Sequence, residues 1–166
     1  MKKIPKLIGI ASLLLAMTAI TQAGSFRPFI SGSYQKILAD HQGTPFALIL
    51  WSLSCSSCLK EMSALAELKQ RHPEFTLVLI STDTLDEIKE INQLLERHLL
   101  TDLENWVFAG HNAQTLRFEI DPAWYGELPR TYFFNRSQQR TAISGALSPE
   151  DFLSLLKDDR PPAPSQ

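Results

Sequence analysis

The sequence predicts an α/β sandwich whose central sheet is mixed, with a parallel part and an antiparallel edge. Three observations predict it. "FALILW" at Phe46–Trp51 and "FTLVLIS" at Phe75–Ser81 are apolar runs of strand length that barely alternate, the pattern of strands covered on both faces. Stretches with helical periodicity follow each of them, and strands alternating with helices build parallel sheets. Near the C-terminus two short β-prone segments flank the polar turn "NRSQQR", which adds an antiparallel hairpin.

The elements follow in order. "SYQKILADH", Ser33–His41, reads as a short helix ended by Gly43 and Pro45. The first buried strand comes next. Ser56–His72 carries helical periodicity and Pro73 stops it. After the second buried strand, Thr84 starts a helix with Glu87 three residues on, a capping box. That helix runs to about Leu99. Trp106–Phe108 is a short strand candidate, and Asn112 caps a further helix through Ile120. Thr131–Phe134 and Thr141–Ser144 form the hairpin. Ser148 opens the last helix, with Pro149 at its first position and Asp151 completing an N-terminal box.

The termini stand apart from this pattern. Lys2, Lys3 and Lys6 precede an apolar run from Leu7 to about Ile20, which closes at Thr21-Gln22-Ala23. A basic head, an apolar centre and a small-residue exit describe a secretory signal peptide, residues 1–23, and place the protein in the periplasm. An uncleaved membrane anchor is the alternative, although the run is short for a span of roughly 20 residues. Residues 24–157 then make one domain, and the proline-rich tail 158–166 is expected to stay disordered. Removal of the three signal lysines moves the formal charge from −2 to −5. The basic residues that remain are scattered among acids, which argues against a nucleic-acid surface.

The chain has only two cysteines, Cys55 and Cys58, in "WSLSCSSCLKEM". A structural staple is a weak explanation, because closing so short a loop gains only roughly 2 kcal/mol in the chain-entropy model. A structural zinc site wants four ligands, and His41, His72, His98 and His111 show no ligand spacing near the pair. Copper(I) accepts two thiolates, so a copper(I) chaperone stays open. A redox couple is the third reading. The strand-to-helix junction sets Cys55 at a helix N-terminus and Cys58 one turn inside, where unpaired N–H groups and the helix dipole favour a negative sulfur. Cys55 is then the attacking thiolate and Cys58 the resolving thiol. A C-x-x-C at the start of a helix after a strand is a fairly specific redox signal.

Around this helix, at about 100° per residue, Leu59, Met62, Leu65, Ala66 and Leu68 share one face. Glu61 sits on the flank of that face, one turn beyond Cys58. A buried carboxyl there has a raised pKa and can exchange a proton with Cys58; an outward-leaning surface glutamate fits the periodicity equally. Trp51 either lines the rim of the site or fills the core. Trp124 and Tyr125 either form an apolar lip facing substrate or pack locally.

These residues resemble the thioredoxin fold and, more narrowly, the exported TlpA-like thiol–disulfide oxidoreductases. That family runs from an apolar strand through Trp to C-x-x-C and then Glu, matched here by Trp51, Cys55, Cys58 and Glu61. "GELPRTYFFN" supplies Gly126, Leu128, Pro129 and Thr131 in the place of the family's Gly-x-Pro-Thr segment. The resemblance extends from about Phe46 to Leu156. It implies a thioredoxin-like three-layer sandwich that needs no cofactor and acts as a monomer. It makes Pro129 a cis-proline packed beside the disulfide and has Leu128 offer backbone bonds to a substrate strand. Glu61 becomes the family's buried acid. Protein thiols and disulfides are the implied substrates, reduction the implied direction, and a membrane reductant the implied electron source. Cytochrome c and copper-protein maturation are the typical settings. A redox-inert binding module on the same scaffold is a further alternative. The chain departs from the family pattern at Ser54, Ser57, Met62-Ser63 and Ile49, and these departures bear on potential and partner choice more than on fold.

Overall fold

Every residue of "FALILW" is buried, so this strand must be covered on both sides, and the rest of the chain is arranged around it. The computed structural model describes residues 26–110 and 112–157. The segment read as a signal peptide, His111, and the tail 158–166 lie outside the described residues. The strands are β1 (Arg27–Phe29), β2 (Phe46–Trp51), β3 (Thr76–Ser81), β4 (Glu104–Phe108), β5 (Arg130–Phe134) and β6 (Arg140–Ser144). The helices are α1 (Ser33–Asp40), α2 (Ser56–Arg71), α3 (Ile88–Arg97), α4 (Ala113–Ile120) and α5 (Pro149–Lys157).

The strands form one sheet in the order β1-β4-β3-β2-β5-β6. The pairs β1–β4, β4–β3 and β3–β2 are parallel, and β5 pairs antiparallel with both β2 and β6. Side chains alternate across a strand, so β2 serves two cores. Ala47, Ile49 and Trp51 face a cluster with Met62, Leu65 and Leu68 of α2, Ile91 and Leu95 of α3, and Phe152 and Leu156 of α5. Phe46, Leu48 and Leu50 face Ile37 of α1 and Leu116 and Ile120 of α4. The result is the expected three-layer sandwich with a mixed central sheet.

Two helix starts have the chemistry expected of them. Asn112 accepts from the Gln114 and Thr115 N–H groups. Ser148 and Asp151 exchange bonds at the head of α5, the Ser148 N–H to Asp151 Oδ2 at 3.0 Å and the Asp151 N–H to Ser148 Oγ at 3.2 Å. At Thr84 the Glu87 carboxylate takes the Thr84 N–H at 2.9 Å, but the segment Leu85–Glu87 is a 3-10 turn and the α-helix begins at Ile88. Its other end falls at Arg97 rather than Leu99, which adopts a positive φ of 57°.

β1 was not expected from the sequence. It is three residues long and contains Pro28, which has no N–H for a ladder and is tolerated because the strand lies at the sheet edge. What holds it is packing. The Phe29 ring stacks on Phe108 at 5.3 Å and meets Trp106 edge-on at 6.1 Å.

The α1/α4 side also carries a buried charge cluster. Asp121 accepts from the Tyr132 hydroxyl at 3.0 Å and lies 3.0 Å from Arg140 Nη2. The guanidinium groups of Arg130 and Arg140 stand 5.1 and 5.2 Å from the Tyr132 ring centre.

Candidate active site

β2 ends at Trp51, three residues carry the chain out of the sheet, and Cys55 is the N-cap of α2. Cys55 and Cys58 are joined in a disulfide with an S–S distance of 2.10 Å. The two sulfurs are not equivalent. Cys58 is fully buried, whereas Cys55 is partly exposed. Cys55 Sγ accepts from the Cys58 N–H at 3.1 Å, and Ser57 Oγ stands 3.4 Å away. The same donors, with the helix dipole behind them, favour a thiolate on Cys55 once the pair is reduced.

Glu61 is buried at 2 % exposure, so the structure decides between the two positions the periodicity allowed. Its Oε1 accepts from the Leu147 N–H at 2.7 Å, and its Oε2 has no hydrogen-bond partner among the described residues. Burial pushes its pKa up to about 7, with the Leu147 bond opposing the shift. Leu147 belongs to the connection between β6 and α5, a position that helical periodicity within α2 cannot reveal.

The Leu128–Pro129 peptide bond is cis. β2 and β5 are in register through Leu50↔Arg130, so Pro129 follows next to the end of β2, where the chain turns toward Cys55. Pro129 is buried, its carbonyl accepts from the Gly145 N–H at 2.9 Å, and Leu128 packs partly exposed against the core that holds Cys58. Trp51 is 1 % exposed and belongs to that same core. It lies in the floor of the site rather than on its rim, because β2 is covered on both faces. Trp124 is buried and its indole N–H donates to the Glu127 carbonyl, while Tyr125 is 94 % exposed. Trp124 therefore packs locally, and only Tyr125 stands at the surface.

Sequence reasoning missed Asp83. It lies two residues beyond β3, is 8 % exposed, and its carboxylate meets the loop between β2 and Cys55. The visible signal was a pair of short polar motifs, Ser52-x-Ser54 and Ser81-x-Asp83, at the same end of two neighbouring parallel strands.

No family model and no curated protein matches the chain. Solved structures do match. A secreted Mycobacterium tuberculosis disulfide oxidoreductase homologous to E. coli DsbE superposes with a TM-score of 0.58 at 20% identity, over 71% of this chain and 84% of that one. A thiol:disulfide interchange protein of the thioredoxin family from Chlorobium tepidum TLS gives 0.57 at 17% identity, over 72% and 82%. A thioredoxin-related protein from Neisseria meningitidis serogroup B gives 0.56 at 22% identity, over 68% and 82%. The sheet order, the cysteine pair at the head of α2 and the cis bond before β5 agree with what these likenesses show: this chain has the thioredoxin-like fold.

Proposed function

We propose that the protein is a thiol–disulfide oxidoreductase that exchanges the Cys55–Cys58 couple with protein partners, acting as a reductant on exported cysteines. The observation that carries this reading is the asymmetry of the pair: one partly exposed sulfur at a helix N-terminus, one buried sulfur, and a buried carboxyl one turn further on. In the reductive direction the Cys55 thiolate attacks one sulfur of a partner disulfide and the other partner sulfur leaves as a thiolate. Cys58 gives its proton to Glu61, attacks Cys55 Sγ and displaces the second partner sulfur, which takes up a proton. Two electrons pass to the partner and the Cys55–Cys58 bond re-forms. Leu128 and Pro129 shape the groove beside Cys55 in this scheme.

Two features support export: the basic-then-apolar N-terminal segment, and the secreted thiol–disulfide proteins among the structural neighbours. No helix among the described residues is long and apolar enough to cross a membrane. Clients in cytochrome c or copper-protein maturation and a membrane electron donor fit the same reading.

Trapping tests it. With Cys58→Ser the mixed disulfide on Cys55 has no resolving thiol, so expression in the native host should leave a small set of exported proteins linked to Cys55. A variant that accumulates no mixed disulfide, from a wild-type protein that reduces no model disulfide, removes the proposal. Stoichiometric copper(I) on such an inactive protein supports the chaperone instead.

A further inference from the structure

One buried carboxylate takes no part in the exchange chemistry, yet it holds the segment that delivers the reactive cysteine. Asp83 Oδ1 accepts from the Ser52 hydroxyl at 2.6 Å. Its Oδ2 accepts from the Ser81 hydroxyl at 2.6 Å and from the Leu53 N–H at 2.9 Å. Ser52 passes the restraint on: its Oγ accepts from the Ser54 N–H at 3.1 Å, and its carbonyl accepts from the Cys55 N–H at 3.1 Å. Below the loop the pairing of β2 with β3 is prolonged, because the Trp51 carbonyl takes the Thr82 N–H at 2.9 Å. Ser52 and Asp83 are 5 % and 8 % exposed. Three donors converging on one buried carboxylate satisfy it and fix the backbone from which they come.

We infer that Asp83 is a positioning residue for exchange: it clamps the Ser52–Ser54 loop to the end of β3, and so sets where Cys55 Sγ stands relative to a docked partner disulfide. This rests on the oxidoreductase reading above. In-line attack between sulfurs is demanding in geometry, and small displacements of a reacting atom cost rate.

The contacts separate geometry from charge. An amide at position 83 keeps every bond. Its oxygen, in the place of Oδ2, accepts from Leu53 and Ser81. Its NH2, in the place of Oδ1, donates to Ser52 Oγ, which turns its own proton to Ser54 Oγ at 2.9 Å. Alanine keeps none of them.

The test is therefore Asp83→Ala against Asp83→Asn in the full chain. For Asp83→Ala the second-order rate with a folded protein disulfide should fall about tenfold, with Asp83→Asn within about twofold of wild type. Reaction of reduced Cys55 with a small aromatic disulfide at alkaline pH needs no docking and should stay within about twofold for both. Amide exchange at Leu53 and Ser54 should speed up in Asp83→Ala only. Equal losses in both variants, with equal shifts in the Cys55 thiolate titration, assign the effect to charge and overturn the inference. So does a wild-type rate in Asp83→Ala. If that variant does not fold, Ser52→Ala cuts one arm of the clamp alone and should slow the protein disulfide about threefold while sparing the small reagent; no loss there also overturns it. A wild-type protein inert to every disulfide sinks the functional reading, whereas the amide exchange data still decide whether the clamp exists.

Discussion

Glu61 and Asp83 are both buried carboxylates, and their surroundings differ. Asp83 is surrounded by donors and holds a loop. Glu61 has one N–H on one oxygen and none among the described residues on the other. A carboxyl desolvated in this way, with its pKa near 7, changes protonation where a thiol exchange operates. Resolution of a mixed disulfide should therefore speed up as pH rises through about 7, because in the proposed exchange it is ionised Glu61 that takes the Cys58 proton. In Glu61→Gln that limb should vanish and the rate at pH 8 fall about a hundredfold, the lower end of the range for general base catalysis. Stopped-flow measurement of resolution decides it, and a retained limb would return the proton to water. Much of this was legible in the sequence: the pair, its order and the acid one turn on were all in "CSSCLKE". What stayed open was whether Glu61 points inward. The group that settles it, the Leu147 N–H, is 86 residues away in sequence and leaves no mark on the periodicity of α2.

At the scale of elements, continuous burial and cap chemistry were the reliable guides. β2 and β3 announced themselves by composition, α4 and α5 by Asn112 and the Ser148–Asp151 box. β1 did not, since its existence depends on Phe29 finding Phe108 and Trp106 rather than on its own three residues. α5 packs on α2 in the core that also holds Cys58. Its Phe152 is fully buried and meets Phe133 of β5 at 5.7 Å. Phe152→Ala should cost about 3–5 kcal/mol by cavity formation. It should also lower the Glu61 pKa toward the ordinary carboxylate range, as the loosened helix admits water. Urea unfolding and carboxyl titration read the two effects; a loss under about 1 kcal/mol would mean that the packing of α5 is not what closes this side of the core.

For the whole molecule, two buried acids on opposite faces of the sheet give stability opposite dependences on pH. Glu61 has its folded pKa raised from 4.5 to about 7. The folded state then binds the extra proton, so stability falls as pH rises from about 4.5 to about 7, by on the order of 3 kcal/mol at most. Burial pushes the Asp121 pKa up, but the Ala123 N–H, the Tyr132 hydroxyl and the charges of Arg140 and Arg130 outweigh it and hold it below 3.8. Its contribution is complete above 3.8 and is lost as pH falls through the folded value. Unfolding free energies measured across pH should show a mildly acidic maximum, a flat neutral limb in Glu61→Gln, and an eroded acid limb in Asp121→Asn. A wild-type protein that gains stability steadily from pH 5 to pH 8 contradicts the assignment of Glu61.

The bond from Leu147 to Glu61 also orders events in time. The cysteines and the acid emerge early in synthesis, on one short stretch. The amide that meets the acid, and the helix that packs on α2, come last. A partly made chain therefore has both sulfurs but not the bond that holds the Glu61 carboxyl. The Leu147 bond, which holds the Glu61 pKa below what burial alone would give, thus forms only once the C-terminal segment is present.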